Sequence, residues 1–261
     1  MEKYRSHFTF AEAEVTIVTD VEDVIGAAQR AVRMYYRDVE SVIAKYPLFR
    51  ASLEPTNFTE IDPKLPKVAQ IMEAVTTPFG IGPMAAVAGA IVDLVYEYVR
   101  QYAPEVLIIE DGGEVLAHSI EPVTIGLYAG EAALGAKLAF EIAPEDMPLG
   151  ISTSSATVGH ALSFGKADAA TMFAKDCATA DAAATFFCNS VTGDDIPQSI
   201  DRALAFLPEY ESVGVRGAFI VRETHVGAGG FVPRLVKIRG TPEDLLDRKR
   251  SAILLDDENL R

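Results

Sequence analysis

The sequence predicts an α+β fold, a largely antiparallel sheet packed with helices. Three observations predict it. Apolar residues recur at three- and four-residue spacing in long blocks, most clearly from Val21 to Lys45. Short apolar runs are joined by turn signals, as in "EVLIIE", "DGG" and "EVLAHSI". The helical blocks surround hairpin-linked strands instead of alternating strictly with them, which favours antiparallel pairing over parallel crossovers.

The elements follow in order. Phe8 to Thr19 alternates loosely and reads as a first strand. Asp20 stands where a cap belongs. Val21, Val24, Ile25, Ala28, Val32, Tyr35, Val39 and Ile43 then line one face of a helix running to about Lys45, with Pro47 past its end. A polar, proline-bearing loop leads to a short helix from Lys67 to Thr77. After the turn "TPFGIGP", Pro83 suits the first turn of a helix over Met84 to Tyr102. "EVLIIE" and "EVLAHSI" are strands, "PVTIGLYAG" and "KLAFEIA" continue the sheet, and "LGIST" and "AATMFA" follow. Helices are expected over about Ala178 to Ser190 and Ile196 to Phe206. "VGVRGAFIVRE" and "FVPRLVKIRG" read as a last hairpin across "THVGAGG". No repeat or linker divides residues 1–261, so a single domain is expected, with a charged tail over 241–261 that is short helix or flexible chain.

A net charge of −15 over 261 residues argues against nucleic-acid and anionic-membrane surfaces, which need basic patches. The N-terminus lacks an apolar signal core, and the apolar run "PFGIGPMAAVAGAIVDLVYEYV" is interrupted by Pro78, Pro83 and Asp93. The expectation is a cytoplasmic protein with a small-molecule ligand, and the apolar surplus is compatible with a homodimer. Cys177 and Cys188 are the only cysteines, which speaks against a zinc or iron–sulfur site.

Four stretches carry the chemistry, each with two readings. Asp111-Gly112-Gly113 is an ordinary hairpin turn or a turn exposing amides to a ligand. Ser152, Thr153, Ser154, Ser155 and Thr157, followed by Gly159 and His160, form a polar surface loop or a neutral cradle for phosphate or ribose. Ala85, Ala86, Ala88, Gly89 and Ala90 leave almost no side chain on a helix front, for tight packing or for a ligand. Asp181 and Thr185, four apart, are a helix-start charge and its neighbour or two ligands of a hard cation. His118 and His160 are candidate acids or bases without an evident partner. No Gly-x-Ser-x-Gly frame supports a hydrolase, and no catalytic residue is assigned.

The segments "AAVAGAIVD", "VLIIEDGG" and "ISTSS…TADAAATFF" resemble the ApbE-like superfamily, whose best-known members are FAD:protein FMN transferases. The matching residues are Gly89, Val92 and Asp93; Gly112 and Gly113; Ile151, Ser152, Thr153 and Ser154; Ala180, Asp181, Ala182 and Thr185. "GPMAAVAGAIVD", "TSSATVGHALSFGKADA" and "ADAAAT" look like the UPF branch of that superfamily, found in anaerobic archaea and bacteria. The resemblance implies an ApbE-type fold, related to the T-fold. It implies Mg²⁺ at Asp181 and Thr185, and FAD or another nucleotide in a cleft lined by Met84, Ala88, Gly89, Asp93, the glycine turn and the hydroxyl stretch. Two departures set the expected activity. The transferase motif has lysine where this chain has Ala88, and a His-x-Ile-Asp-Pro block between Ser155 and Ala180 is missing. The expectation is therefore a nucleotide-, flavin- or phosphate-binding protein that is not a flavin transferase. The resemblance carries two alternatives: a factor of anaerobic homocysteine (sulfur amino-acid) biosynthesis, and a scaffold with a degenerate cleft.

Overall fold

The computed structural model describes residues 2–127, 138–157 and 164–237. The chain opens with a hairpin of β1 (Tyr4–Phe10) and β2 (Ala13–Thr19). The single strand expected over Phe8 to Thr19 is thus corrected to two strands. They reverse at Ala11, whose φ is 52°, with Phe10 opposite Ala13. An Ala-Glu turn carries none of the glycine or asparagine signals that mark such a reversal.

Helix α1 (Glu22–Lys45) follows. Asp20 does not cap it, because Asp20 accepts the amides of Glu105 and Val106 at 3.3 and 2.9 Å and so ties the end of β2 to the sheet. Glu22 and Asp23 supply the negative charge that the helix start favours. Short helices α2 (Pro47–Ala51) and α3 (Phe58–Ile61) precede α4 (Lys67–Thr76). The helix expected over Met84–Tyr102 is three pieces: a 3₁₀ turn at Pro83–Ala86, α5 (Val87–Val99) and a 3₁₀ turn at Arg100–Tyr102. No single helix among the described residues is long and apolar enough to cross a membrane.

The remaining elements are β3 (Val106–Asp111), β4 (Glu114–Ser119), β5 (Val123–Leu127), β6 (Leu138–Ile142), β7 (Leu149–Ser154), β8 (Ala169–Ala174), α6 (Cys177–Ser190), α7 (Ile196–Leu204), α8 (Leu207–Tyr210), β9 (Val215–Arg222), β10 (His225–Gly230) and β11 (Arg234–Lys237). Among the described residues one eight-stranded sheet runs in the order β1-β2-β3-β4-β7-β8-β9-β10, and every neighbouring pair is antiparallel.

Two further expectations are corrected here. First, β5 and β6 do not extend the main sheet; with β11 they form a second, three-stranded sheet. It covers the face carrying Ile108, Val115, Ile151, Phe173 and Phe219, and Phe140 of β6 sits edge-on to Phe173 and Phe219 at 5.0 and 5.5 Å. Strand β8 is buried at every position, which requires a layer on each side of the sheet. Second, "HVGAGG" is not a hairpin loop but strand β10, paired with β9, while β11 crosses to β6. The glycines are needed because α7 and α8 press on the strand. A Cβ at Gly227 would lie 2.3 Å from Ile200 Cγ2, and one at Gly229 would lie 2.6 Å from Leu207 Cδ1. The other face of the main sheet carries α1, α4 and α5 over β2 and β3, and α6 and α7 over β8 and β9. The molecule is thus layered: helices, main sheet, small sheet.

A candidate site at the junction of α5, α6 and the β3–β4 turn

The β3–β4 turn leaves only Gly112 and Gly113 between the paired residues Asp111 and Glu114. Their φ values are 70° and 133°, a conformation only glycine adopts at no steric cost. Side chains alternate across a strand. Ile109 and Leu116 belong to the helix-side core, and Val115 and Ile151 to the opposite one. Asp111, Glu114 and Ser152 therefore project to the helix side, where Ser152 donates to Glu114 Oε1 at 3.1 Å. Asp111 accepts the Glu14 amide at 3.2 Å and the Tyr36 hydroxyl at 3.4 Å.

Two helices close over this corner. A Cβ on Gly89 would lie 2.6 Å from the Cys177 carbonyl oxygen and 2.8 Å from Asp181 Cβ, so α5 and α6 touch through backbone. Each helix satisfies the other's start. The Gly89 amide donates to Asp181 Oδ2 at 2.9 Å. The Cys177 and Ala178 amides donate to the two Asp93 oxygens at 2.9 and 2.8 Å. Asp176 adds a conventional cap to Thr179 N at 2.8 Å. The small-residue front of α5 is thus occupied by α6.

The corner is acidic, with Asp111 buried and Glu114 and Asp181 half-buried. Burial pushes the Asp181 carboxyl up to about 7, against the pull of the Gly89 amide, and Asp111 and Asp93 push it further up. Burial also raises Asp111 to about 6 and Asp93 to about 7. Glu114 is held well above the usual carboxylate range by burial and by the neighbouring Asp181 and Asp111. The same carboxylates, after burial itself, raise the Cys177 thiol. Among the described residues no ion pair reaches Glu114, Asp111 or Asp181.

The structure brings together Gly89, Gly112, Gly113, Ser152 and Asp181. Thr185 lies one turn beyond Asp181, half-buried. Ala88 occupies the first turn of α5, and Met84 the preceding 3₁₀ turn, where it packs against the helix-side core. Asp93 lies behind the corner, with both oxygens on α6 amides. The hydroxyl run is split: Thr153 faces the opposite side, bonded to Thr171 at 2.8 Å, while Ser155 and Thr157 pair with each other at 3.3 Å. Thr157 also donates to Asp168 at 3.1 Å. Ser154 ends β7, half-buried. Gly159 and His160 lie outside the described residues. His118 stands four residues along β4 from Glu114, 3.4 Å from the Tyr96 hydroxyl. Sequence reasoning missed Glu114 and Asp111. The signal was present in "EDGGE", where carboxylates flank the turn inside an apolar hairpin.

A Cβ on Gly113 would meet only the Thr153 carbonyl oxygen at 3.9 Å, so the turn needs glycine for its backbone angle and not for space. Gly113→Ala is therefore expected to cost roughly 1–3 kcal/mol, the order of a strained non-glycine φ. Urea denaturation measures it, and an unchanged midpoint would show that the turn relaxes without strain.

A family model described as "AbpE bacteria" matches residues 1–212. The UPF0280 protein of Methanopyrus kandleri is 37% identical over 238 residues, covering 91% of this chain and 95% of its own. The chain belongs to the UPF0280 family of ApbE-like proteins. Its fold is shared with a mutant of the flavin transferase ApbE from Vibrio cholerae, at TM-score 0.55 and 12% identity over 88% of this chain and 97% of that one. The ApbE protein of Thermotoga maritima gives TM-score 0.53 and 15% identity over 87% and 96%. The UPF0280 chain thus keeps the ApbE architecture, as its glycine-turn, Ile-Ser-Thr-Ser and Ala-Asp-Ala segments implied.

Proposed function

We propose that this UPF0280 protein binds a phosphorylated small molecule, a nucleotide or flavin, together with Mg²⁺ at the α5–α6 corner, and that it does not transfer FMN. One observation carries the reading. Asp181 and Glu114 are drawn together with the glycine turn and Ser152 in a half-buried corner where, among the described residues, no ion pair reaches either carboxylate. Withdrawing neighbouring carboxylates from water without a counter-charge is costly unless they stay protonated or acquire a cation.

The donor set fits a hard cation. Asp181 commits Oδ2 to Gly89, leaving Oδ1; Thr185 and Glu114 add oxygen donors. Among the described residues no three His, Cys, Asp or Glu side chains are arranged to hold a metal ion by themselves. That pattern suits Mg²⁺, which takes one or two carboxylates and completes its shell with water and substrate phosphates. When bound, the cation would neutralise phosphate oxygens at this corner. Gly112 and Gly113 place backbone in reach without side-chain obstruction, and Ser152 holds Glu114 in orientation. The absence of a lysine at Ala88, next to Gly89, supports ligand binding without the transferase chemistry.

The test is a thermal shift with Mg²⁺ alone, FAD alone and both. A ligand at one hundred times its dissociation constant adds about 2.7 kcal/mol. The parent is expected to respond most to the pair, and Asp181→Asn to lose the Mg²⁺-dependent part while staying folded. Equal shifts in both proteins reject the site, and no shift in either favours the empty scaffold. Incubation with FAD, Mg²⁺ and a threonine-bearing acceptor is expected to leave no covalent FMN; its appearance over several turnovers would refute that part of the proposal. Mass spectrometry of the co-purified ligand separates a flavin or nucleotide from a sulfur amino-acid substrate.

A further inference from the structure

Away from this corner, α5 continues past the start of α6, and a second cleft opens beside α4. It holds about 550 Å³, a volume typical of small-molecule sites. Its lining has two characters. Ile71, Ala74 and Val75 of α4 give an apolar side, and Leu116 of β4 adds to it. The ionic side has Asp93 of α5, with Lys175 and Asp176 from the turn before α6. Arg100 and Glu97, both exposed, also border the cleft, but they satisfy each other through contacts of 3.0 and 3.3 Å.

Lys175 and Asp176 do not satisfy each other. Their charged atoms stand 3.8 Å apart, beyond hydrogen-bond reach. Among the described residues Lys175 Nζ makes no hydrogen bond. Asp176 spends only Oδ1, which accepts the Thr179 amide at 2.8 Å as the cap of α6, and Oδ2 stays open. The Lys175 stem is nonetheless seated. It fills the space above Gly214, where a Cβ would lie 2.7 Å from Lys175 Cε. Asp93 adds a second carboxyl without an ion pair among the described residues. A purely anionic ligand would meet Asp93 and Asp176, and a purely cationic one would meet Lys175. A molecule with both charges close together and an apolar tail meets neither conflict. In an α-amino acid the two charged groups sit on adjacent carbon atoms, a short separation like that of Lys175 and Asp176. The geometry points to a binding site for an α-amino acid with an apolar side chain. Its carboxylate is held by Lys175, its ammonium by Asp176, and its side chain by the apolar face of α4.

Isothermal titration calorimetry of the full chain tests it with three probes of one shape. These are leucine, isocaproate, which lacks the ammonium, and isoamylamine, which lacks the carboxylate. Each analogue forgoes one charge-assisted contact, so leucine is expected to bind about tenfold more tightly than either. Lys175→Met keeps an unbranched stem and removes the charge. It is expected to weaken leucine about tenfold, to the level of isoamylamine. Asp176→Asn keeps a side-chain cap for α6 and removes the other charge. It is expected to weaken leucine about tenfold, to the level of isocaproate. The retained cap keeps that variant folded, which its melting temperature checks. No binding of leucine or phenylalanine at millimolar concentration overturns the proposal. So does leucine binding no tighter than its one-charge analogues, or leucine affinity that either variant leaves unchanged.

Discussion

Gly89→Ala is expected to destabilise the protein by about 3 kcal/mol or more. On propensity alone the change should help, since glycine within a helix costs up to about 1 kcal/mol relative to alanine. Contact decides otherwise. The new Cβ would meet the Cys177 carbonyl oxygen at 2.6 Å and the Ala178 Cα and Asp181 Cβ at 2.8 Å. These are backbone and near-backbone atoms that cannot rotate away, so α5 and α6 must separate. Overpacking costs roughly 1–3 kcal/mol. Separation also loosens the Gly89–Asp181 bond and the two Asp93 bonds to α6, each of the kind worth about 1.5–3 kcal/mol when one partner is charged. Gly26→Ala in α1 is the control, because a Cβ there meets only the Arg30 guanidinium at 3.4 Å. Thermal melting of both variants is the measurement. Equal behaviour would mean that the α5–α6 contact is not a stabilising one.

The second large effect is on pH. Without added cation, the protein is expected to lose stability steadily as pH rises from about 5 to about 8. Burial is the first cause of the raised carboxyls: Asp181 and Asp93 at about 7 and Asp111 at about 6, with Glu110, on the opposite face of β3, also near 7. In the unfolded chain these groups ionise near 4. Between that value and the folded one, the folded state holds more protons than the unfolded state. Stability is therefore fully present below about pH 4, as far as these groups go, and is lost as pH climbs through about 7. Each such group contributes about 1.4 kcal/mol per pH unit within its window. Glu114→Gln keeps an acceptor for Ser152 and removes one like charge, so its decline with pH is expected to be shallower. Mg²⁺ is expected to flatten the parent curve in the same direction. Stability that is flat or rising from pH 5 to 8 in the cation-free parent would contradict the buried-carboxylate picture.

Much of this protein was legible in its residues. The α1 periodicity, the "DGG" turn between β3 and β4, and the α6 segment around Asp181 all report local preferences, which backbone geometry and side-chain spacing express without help from distant parts of the chain. The segments around Gly89, Gly112, Ser152 and Asp181 marked the corner because each has a recognisable composition. What lay beyond the sequence depended on partners remote along it. The second sheet exists because β8, buried at every position, needs cover on both faces, and nothing local says that β5, β6 and β11 provide it. Strand β10 looks like a glycine loop until α7 and α8 are placed against it. Asp20 and Asp93 read as a local cap and a ligand group, yet each binds amides more than eighty residues away. The acidic character of the corner is likewise tertiary. Asp111, Glu114 and Asp181 are ordinary surface-type residues in sequence, and it is the packing of α5 on α6 over the strand ends that draws them together, limits their water and makes their charge consequential.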